Sequence, residues 1–382
     1  MPQASEDHEL FRSTVREFVE REINPFAEEW EETGVFPARE LFSKMGSLGF
    51  LGLTYDPAYG GGGADYGYVC ILNEELGRML PLGVAMAIGV QTDMATPSLH
   101  RFGSHELKEQ YLRPAITGEA VAAVAITEPD AGSDVAGIRT KAHLEGGEWV
   151  LNGAKTFITN GTQADWVCVV ARTSDEGGSR GVSQILVPTD APGFIVSRKL
   201  DKLGMRSSDT AELVFENCRV PAANLIGSEG NGFKQQMQQF QDERMVASHQ
   251  MAGACHYALE RTGAYLRERM AFGKPLMANQ HLAYELAELS AEVDMLRVYN
   301  WEAAMAQSRG EDITRYATIA KLKSGRLARR VADVCLQYHG GLGYMEENWT
   351  ARFFRDTRLW SIGGGADEIM LRTLARVDGF WA

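Results

Sequence analysis

The stretch Phe240-Gln241-Asp242-Glu243-Arg244-Met245, inside a helical run that opens at Asn231-Gly232-Phe233, decides how the chain is read. Residues three and four apart share a helix face, so Phe240, Glu243, Val246 and Ala247 point one way. One carboxylate thereby shares a stripe with three apolar side chains. Burial disfavours the charged form of a carboxylate, raises its pKa toward neutrality, and makes Glu243 a candidate proton acceptor. The same window also fits a solvated helix decorated by Asp242, Glu243 and Arg244. The sequence on either side bears on that choice.

Downstream, helical periodicity continues through about 232–269, 280–308 and 312–339, lengths typical of an antiparallel bundle. Gly340-Gly341-Leu342-Gly343 stops the third segment, and a last helix starts after Gly363-Gly364-Gly365. Upstream, the period changes to two. Short apolar runs at Val121–Thr127, Gly137–Leu144, Trp149–Asn152, Lys155–Thr159, Trp166–Arg172, Gln184–Pro188, Phe194–Ser197 and Ala211–Phe215 alternate with turn residues, which predicts a compact antiparallel β-domain. Gly146-Gly147 reads as a hairpin turn within it. The first third is helical again. Phe11, Val15, Phe18, Val19, Ile23, Phe26 and Trp30 recur at helical spacing, and further helices are expected after Pro37, at Tyr66–Gly77, around Met86–Met94 and at Ser104–Thr117. Gly60-Gly61-Gly62-Gly63 lacks the Lys-Ser/Thr ending of a phosphate loop and reads as a turn. The fold expected is mainly α with a middle β-domain: an N-terminal helical domain over 1–120, a β-domain over 121–229 and a C-terminal helical bundle over 230–382.

Composition narrows the function. The chain has 382 residues, 45% of them hydrophobic, enough for several cores. Its formal charge of −13 and the absence of a basic stripe argue against a nucleic-acid partner. No apolar run is long enough to cross a bilayer. The polar, acidic segment Met1–Glu9 has no basic region, apolar stretch or cleavage site of an export signal. Five scattered cysteines, none in a C-x-x-C pair, fit a reducing compartment and no zinc site. A cytoplasmic protein is expected, or a mitochondrial matrix protein whose presequence is absent.

Four other segments carry candidate chemistry. Ile126-Thr127-Glu128-Pro129-Asp130-Ala131-Gly132-Ser133-Asp134 follows a strand and can turn backbone N–H groups and the Ser133 hydroxyl toward an anion such as a diphosphate; it also fits an ordinary surface turn. Phe157-Ile158-Thr159 places an aromatic beside a hydroxyl, as many core strands do. Arg269 to Lys274 ends the long helix with a cation and an aromatic, and the cation can serve the terminal carbonyls alone. Gln337-Tyr338-His339-Gly340-Gly341 reads as a helix C-cap with a capping or packed histidine. Asp367 and Glu368, at the start of the last helix, read as capping and dipole-offsetting groups. No histidine has a partner at metal-ligand spacing, so no metal is expected.

In combination these segments resemble the acyl-CoA dehydrogenase family over about Ser5 to Phe380. ITEPDAGSD, KTFITNG, RERMAFGK, LQYHGGLGY and IGGGADEIM stand at family positions. VQTDMATPSLHRFGS, NGTQADW, KLGMRSSDTAEL and SIGGGADEIML are most similar to the citronellyl-CoA dehydrogenase branch, with the long-chain and isovaleryl-CoA branches next. The resemblance implies FAD between the β-domain and the bundle, an acyl-CoA substrate, electron-transferring flavoprotein as acceptor, and a homo-oligomer, usually a tetramer. It implies that Thr127 and Thr159 bond the flavin ring, with Ile126 alongside, that Phe157 packs on it, and that Ser133 holds diphosphate. It also implies cofactor contacts for Ala366 and Glu368 and, across the subunit interface, for Arg269, Phe272, Gln280, Gln337 and Gly341. Substrate contacts are implied for Ser133, Arg244, Gly364 and Gly365.

One departure bears on mechanism. Many relatives carry the catalytic Glu in the C-terminal motif, where this chain has Gly364. The isovaleryl and long-chain branches carry it on the long helix in an E-R-L sequence, and Glu243-Arg244-Met245 matches that place. Helix-face reading and resemblance converge on Glu243 as the base, with the Gly364 N–H and a ribityl hydroxyl of FAD facing the enolate-like oxygen. The expected reaction is α,β-dehydrogenation of an acyl-CoA to the trans-2-enoyl-CoA. Gly363-Gly364 suggests room for a branched or bulky acyl group, citronellyl-like or otherwise medium to long. Phe157 stands where Trp is common, and Ala366-Asp367 where Thr-Ser is common. The alternatives are a straight long-chain dehydrogenase, an oxygen-using oxidase or monooxygenase of the same fold, and a non-catalytic flavoprotein.

Overall fold

The computed structural model describes residues 4–381. The reading of Met1–Glu9 therefore rests in part on Met1–Gln3, which lie outside the described residues. Helices fill the first third: α1 (Glu6–Glu22), α2 (Ala27–Thr33), α3 (Ala38–Ser47), α4 (Tyr66–Leu76), α5 (Leu82–Gly89), α6 (Thr96–Phe102), α7 (His105–Leu107) and α8 (Arg113–Ile116). The Glu6–Trp30 run is two helices and not one. Pro25 cannot donate a helical hydrogen bond, and a 3-10 turn over Asn24–Phe26 separates α1 from α2. Between α5 and α6 the chain stays helical through a wide π turn at Val90–Ala95.

Eight strands follow: β1 (Ala122–Ala125), β2 (Lys141–Glu145), β3 (Glu148–Thr159), β4 (Trp166–Arg172), β5 (Val182–Pro188), β6 (Phe194–Lys199), β7 (Thr210–Pro221) and β8 (Leu225–Ile226). Their order is β6-β7-β3-β2-β4-β5-β8, with β1 beside β4. The sheet is mixed where an antiparallel one was expected. The β2–β3 hairpin carries the chain across, so that β1 and β4 run parallel, Ala122 opposite Trp166. The two runs at Trp149–Asn152 and Lys155–Thr159 are one strand, β3, bent by register shifts at Leu151/Gly153 and Lys155/Ile158. The second shift holds Phe157 at φ +61° and turns its ring outward.

The bundle consists of α9 (Gly232–Glu268), α10 (Gln280–Ser308), α11 (Thr314–His339), α12 (Trp349–Thr357) and α13 (Asp367–Val377). A short β9–β10 hairpin (Met270–Ala271 and Lys274–Pro275) joins α9 to α10. The sequence reading did not single out α12. It buries Ala351 and Phe353 against α11 and is short enough to look like a connection.

Helix α9 is the axis of the molecule, because all three regions touch it. A Cβ on Gly253 would lie 1.9 Å from the Glu74 carbonyl oxygen, so α4 and α9 approach at backbone distance. Buried Arg12 donates to Glu74 and Glu75, each at 3.0 Å, and Arg297 pairs with Glu74 at 3.4 Å, which ties α1, α4 and α10 together. Gln239 accepts from the Ser98 amide, fastening α6. Gln236 accepts from Gln184 of β5 at 2.9 Å. Buried polar side chains matched in this way fix the rotation and height of α9, and hence where Glu243 points.

Candidate active site

Glu243 sits between the bundle and the last glycine turn. Val246 and Ala247 below it are buried, as the helix-face reading requires. Phe240 is partly covered, with the Arg244 guanidinium 5.8 Å from its ring centroid. Asp242 and Arg244 do not decorate a solvated surface. Asp242 is buried and bonded to Arg101 at 2.6 Å and to Gln307 at 2.5 Å. The Glu243 side chain keeps a partial opening to solvent. The protein packed around it still raises its carboxyl to about 7; burial is the main cause, opposed by the charges of Arg244 and Lys321. Near neutral pH such a group is divided between acceptor and acid forms, the condition a general base needs.

The turn Gly363-Gly364-Gly365 closes over this carboxylate. Gly364 has φ +64°, and a Cβ there would stand 3.2 Å from Glu243 Oε1. Gly365 has φ +99°, and a Cβ there would lie 3.9 Å from Arg244 Nη2. The space vacated at Gly364 therefore borders the Glu243 carboxylate, which a Cβ there would crowd by a few tenths of an ångström. Of the two glycines expected to make room for a bulky acyl group, only Gly363 leaves space, its nearest neighbour being Leu359 at 3.5 Å.

Lys321, which the sequence reading did not single out, completes this corner. It is fully buried on α11 and donates to the Gly365 carbonyl oxygen. Its only signal in the sequence is a cation on an apolar stripe shared with Ala317, Ala320 and Ala328. Asp367 does not cap α13 through its side chain; it pairs with Arg326 at 3.3 Å and Arg329 at 3.5 Å. Ala366 is the N-cap residue, and Glu368 is exposed beside it.

A second group of predicted residues lies on the sheet. Thr127, Phe157 and Thr159 share one neighbourhood, since Thr156 N–H donates to Thr127 O at 2.9 Å. Phe157 is 69% exposed on a backbone few bulky residues adopt. No hydrogen bond among the described residues engages the side-chain hydroxyls of Thr127, Ser133 or Thr159. Free hydroxyls beside an outward aromatic ring suit a flat, polar-edged group such as a flavin. A buried ion pair holds the preceding loop. Lys155 Nζ donates to Ile126 O at 2.8 Å and to Glu128 Oε1 at 2.9 Å, and Glu128 also accepts from the amides of Arg139 and Thr140 at 2.6 and 2.9 Å. Burial pushes Lys155 down to about 8 against the pull of Glu128. Burial also works against the Glu128 charge, yet Lys155 and the donors around it hold that carboxyl below its usual value.

A third group stands apart. Arg269, Phe272, Gln280, Gln337 and Gly341 are all exposed, at the far ends of α9 and α11, in the β9–β10 hairpin and at the start of α10. Stacking of Tyr265 on His339, centroids 4.2 Å apart, packs these ends together. Buried His339 binds Cys335 O at 2.7 Å, a packed histidine as expected. At about 1.5 Å rise per residue, Arg269 lies about 39 Å along α9 from Glu243. One chain does not bring these five residues to the corner occupied by Glu243.

Among the described residues no cluster of His, Cys, Asp or Glu could hold a metal ion. No helix among them is long and apolar enough to cross a membrane.

Comparison with known proteins bears on the geometry. Residues 5–119 match "Acyl-CoA dehydrogenase, N-terminal domain", residues 123–218 the middle domain and residues 230–377 the C-terminal domain. The long-chain specific mitochondrial acyl-CoA dehydrogenase of Rattus norvegicus is 38% identical over 374 residues, 97% of this chain and 86% of that protein. The crystal structure of an acyl-CoA dehydrogenase from Geobacillus kaustophilus superposes with a TM-score of 0.94 at 39% identity, covering 98% of both chains. A glutaryl-CoA dehydrogenase from Mycobacterium smegmatis, solved in complex with FADH2, superposes with a TM-score of 0.93 at 31% identity, covering 99% of this chain and 96% of that one.

Proposed function

The chain belongs to the acyl-CoA dehydrogenase family and is an FAD-dependent enzyme of that class, and on that premise we propose that Glu243 is the base that starts the reaction. The observation that carries this is the nearness of Glu243 to the Gly364 turn: a carboxyl raised to about 7, whose Oε1 would lie 3.2 Å from a Cβ placed on Gly364. A thioester carbonyl seated at the Gly364 N–H presents its α-hydrogen toward that carboxylate. The N–H stabilises negative charge as it develops on the oxygen, and Glu243 takes the proton. FAD, when bound, supplies the acceptor for the hydride leaving the β-carbon. Thr127, Thr159 and Phe157 would hold its ring, with Ile126, Ala366 and Glu368 beside it, and Ser133 would hold its diphosphate. Arg244 and Gly365 would flank the acyl thioester, and Ser133 its CoA portion.

The distance between Glu243 and the Arg269–Gly341 patch supports a second part of the proposal. A homo-oligomer, a tetramer by resemblance, would bring Arg269, Phe272, Gln280, Gln337 and Gly341 of one copy to the cofactor of another. Phe272 is fully exposed at the tip of the β9–β10 hairpin, as a residue destined for such a contact would be.

The acyl group we propose is branched or medium to long, citronellyl-like, with electron-transferring flavoprotein as acceptor. Space beside Gly363 supports it. Anaerobic titration of the flavin with citronellyl-, isovaleryl- and palmitoyl-CoA is the test. Complete bleaching by citronellyl-CoA at lower concentration than by palmitoyl-CoA is expected; preferential bleaching by the straight chain sinks the substrate reading, and bleaching by none sinks the reaction.

A further inference from the structure

Lys321 calls for an account of its own. An ammonium group buried inside a helical bundle is costly unless something answers it. Among the described residues its hydrogen bond goes to a backbone carbonyl, that of Gly365, and no carboxylate lies within ion-pair distance. The charged groups facing it are Glu243 and Arg244 from α9 and Asp367 and Glu368 from α13. Asp367 is already engaged by Arg326 and Arg329, and Glu368 is exposed. Glu243 is the anion left for Lys321 to answer, across the turn that its own hydrogen bond holds.

We propose that Lys321 is a positioning residue of the active site: through the Gly365 carbonyl it holds the Gly364 turn against Glu243, and its charge, with that of Arg244, favours the ionised form of that base. The inference rests on the reading of Glu243 as the base; it has two physical consequences, and the electrostatic one can be measured without turnover. First, the Gly364 N–H faces the thioester oxygen only while the turn is held, and Lys321 is the side chain that holds it. Second, a positive charge beside a carboxylate favours the ionised form, so Lys321 opposes the effect of burial on Glu243. Burial pushes Lys321 itself down to about 8, against the opposing pull of Asp367 and Glu243. As pH rises through about 7 Glu243 loses its proton, and as it rises through about 8 Lys321 loses its charge. The two groups interact, so their titrations are described by two apparent constants of the pair.

The test uses the FAD-loaded protein and the variants Lys321→Gln, Lys321→Met and Lys321→Arg. The Glu243 carboxyl is followed by infrared titration, its band identified by its loss in Glu243→Gln. Removing the charge should move the midpoint up by about 0.5–1 pH unit in Lys321→Gln and Lys321→Met, while Lys321→Arg leaves it within about 0.2 unit. Any second inflection of the Glu243 band near pH 8 should disappear in Lys321→Arg, since a guanidinium does not titrate there. Lys321→Gln keeps an N–H donor for the Gly365 carbonyl and carries the test if the Met variant does not fold. An unmoved midpoint in Lys321→Gln at parental flavin content overturns the proposal. Full turnover in Glu243→Gln would instead overturn the assignment of the base, leaving the infrared result to stand alone.

Discussion

Gly364→Ala is the smallest change that reaches the centre of the site. The residue has φ +64°, where an L side chain costs about 1–2 kcal/mol. The new Cβ would stand 3.2 Å from Glu243 Oε1, closer than ordinary van der Waals contact, so the carboxylate or the turn must give by a few tenths of an ångström. Misplacing a reacting group by 1 Å costs about a hundredfold, so a shift of this size should lower the rate of flavin reduction about three- to tenfold. The backbone strain should lower the unfolding midpoint by about 1–3 °C. Stopped-flow reduction under anaerobic conditions measures the first, and differential scanning calorimetry the second. A variant that reduces its flavin at the parental rate and unfolds at the parental temperature refutes the placement of Gly364 against the base.

Other perturbations separate the remaining parts. The Glu243 carboxyl is raised from 4.5 to about 7 in the folded protein, so the native state holds its proton more tightly and loses stability as pH rises through that window. Glu243→Gln should therefore unfold at higher denaturant than the parent above pH 7, by at most about 3 kcal/mol, with the gap closing below pH 4.5; a gap independent of pH contradicts the raised carboxyl. Lys155→Met strands the buried Glu128 carboxylate and should cost about 3–5 kcal/mol, part of it recovered in Lys155→Met/Glu128→Gln. An additive double mutant in equilibrium unfolding would mean that the pair does not act as a unit. Phe157→Asn relieves a left-handed backbone that Asn tolerates, so the FAD-stripped protein should keep its unfolding temperature within about 2 °C while FAD dissociates about tenfold more readily. A stripped protein that melts much earlier would make Phe157 a core residue instead.

Much of this architecture is legible in the sequence, because long amphipathic runs and glycine punctuation are local signals. The β-to-helix change at Gly227–Gly232 and the bundle lengths fall into that class. The alternation of β3 is also visible, but whether Asn152–Ala154 ends a strand or bends one depends on β7 alongside it. The parallel pairing of β1 with β4 depends on a crossover that periodicity does not record. At the candidate site, the place of Glu243 on a largely buried helix face is legible from its spacing and from the residues around it. Lys321 and the Glu128–Lys155 pair are not. Each draws its meaning from a partner distant in sequence or from a backbone carbonyl, and neither leaves more than a misplaced charge to notice. Gly364 is instructive in another way: the chain reads as having lost a side chain there, and the structure sets the carboxylate of Glu243 at the edge of that space.

The most direct measurement is single-turnover reduction of fully FAD-loaded Glu243→Gln by the best acyl-CoA. Loss of a positioned general base predicts a rate lower by about 10²–10⁴-fold, with flavin content and acyl-CoA binding retained. Reduction at the native rate would mean that another group removes the α-proton, and that Glu243 is not the base.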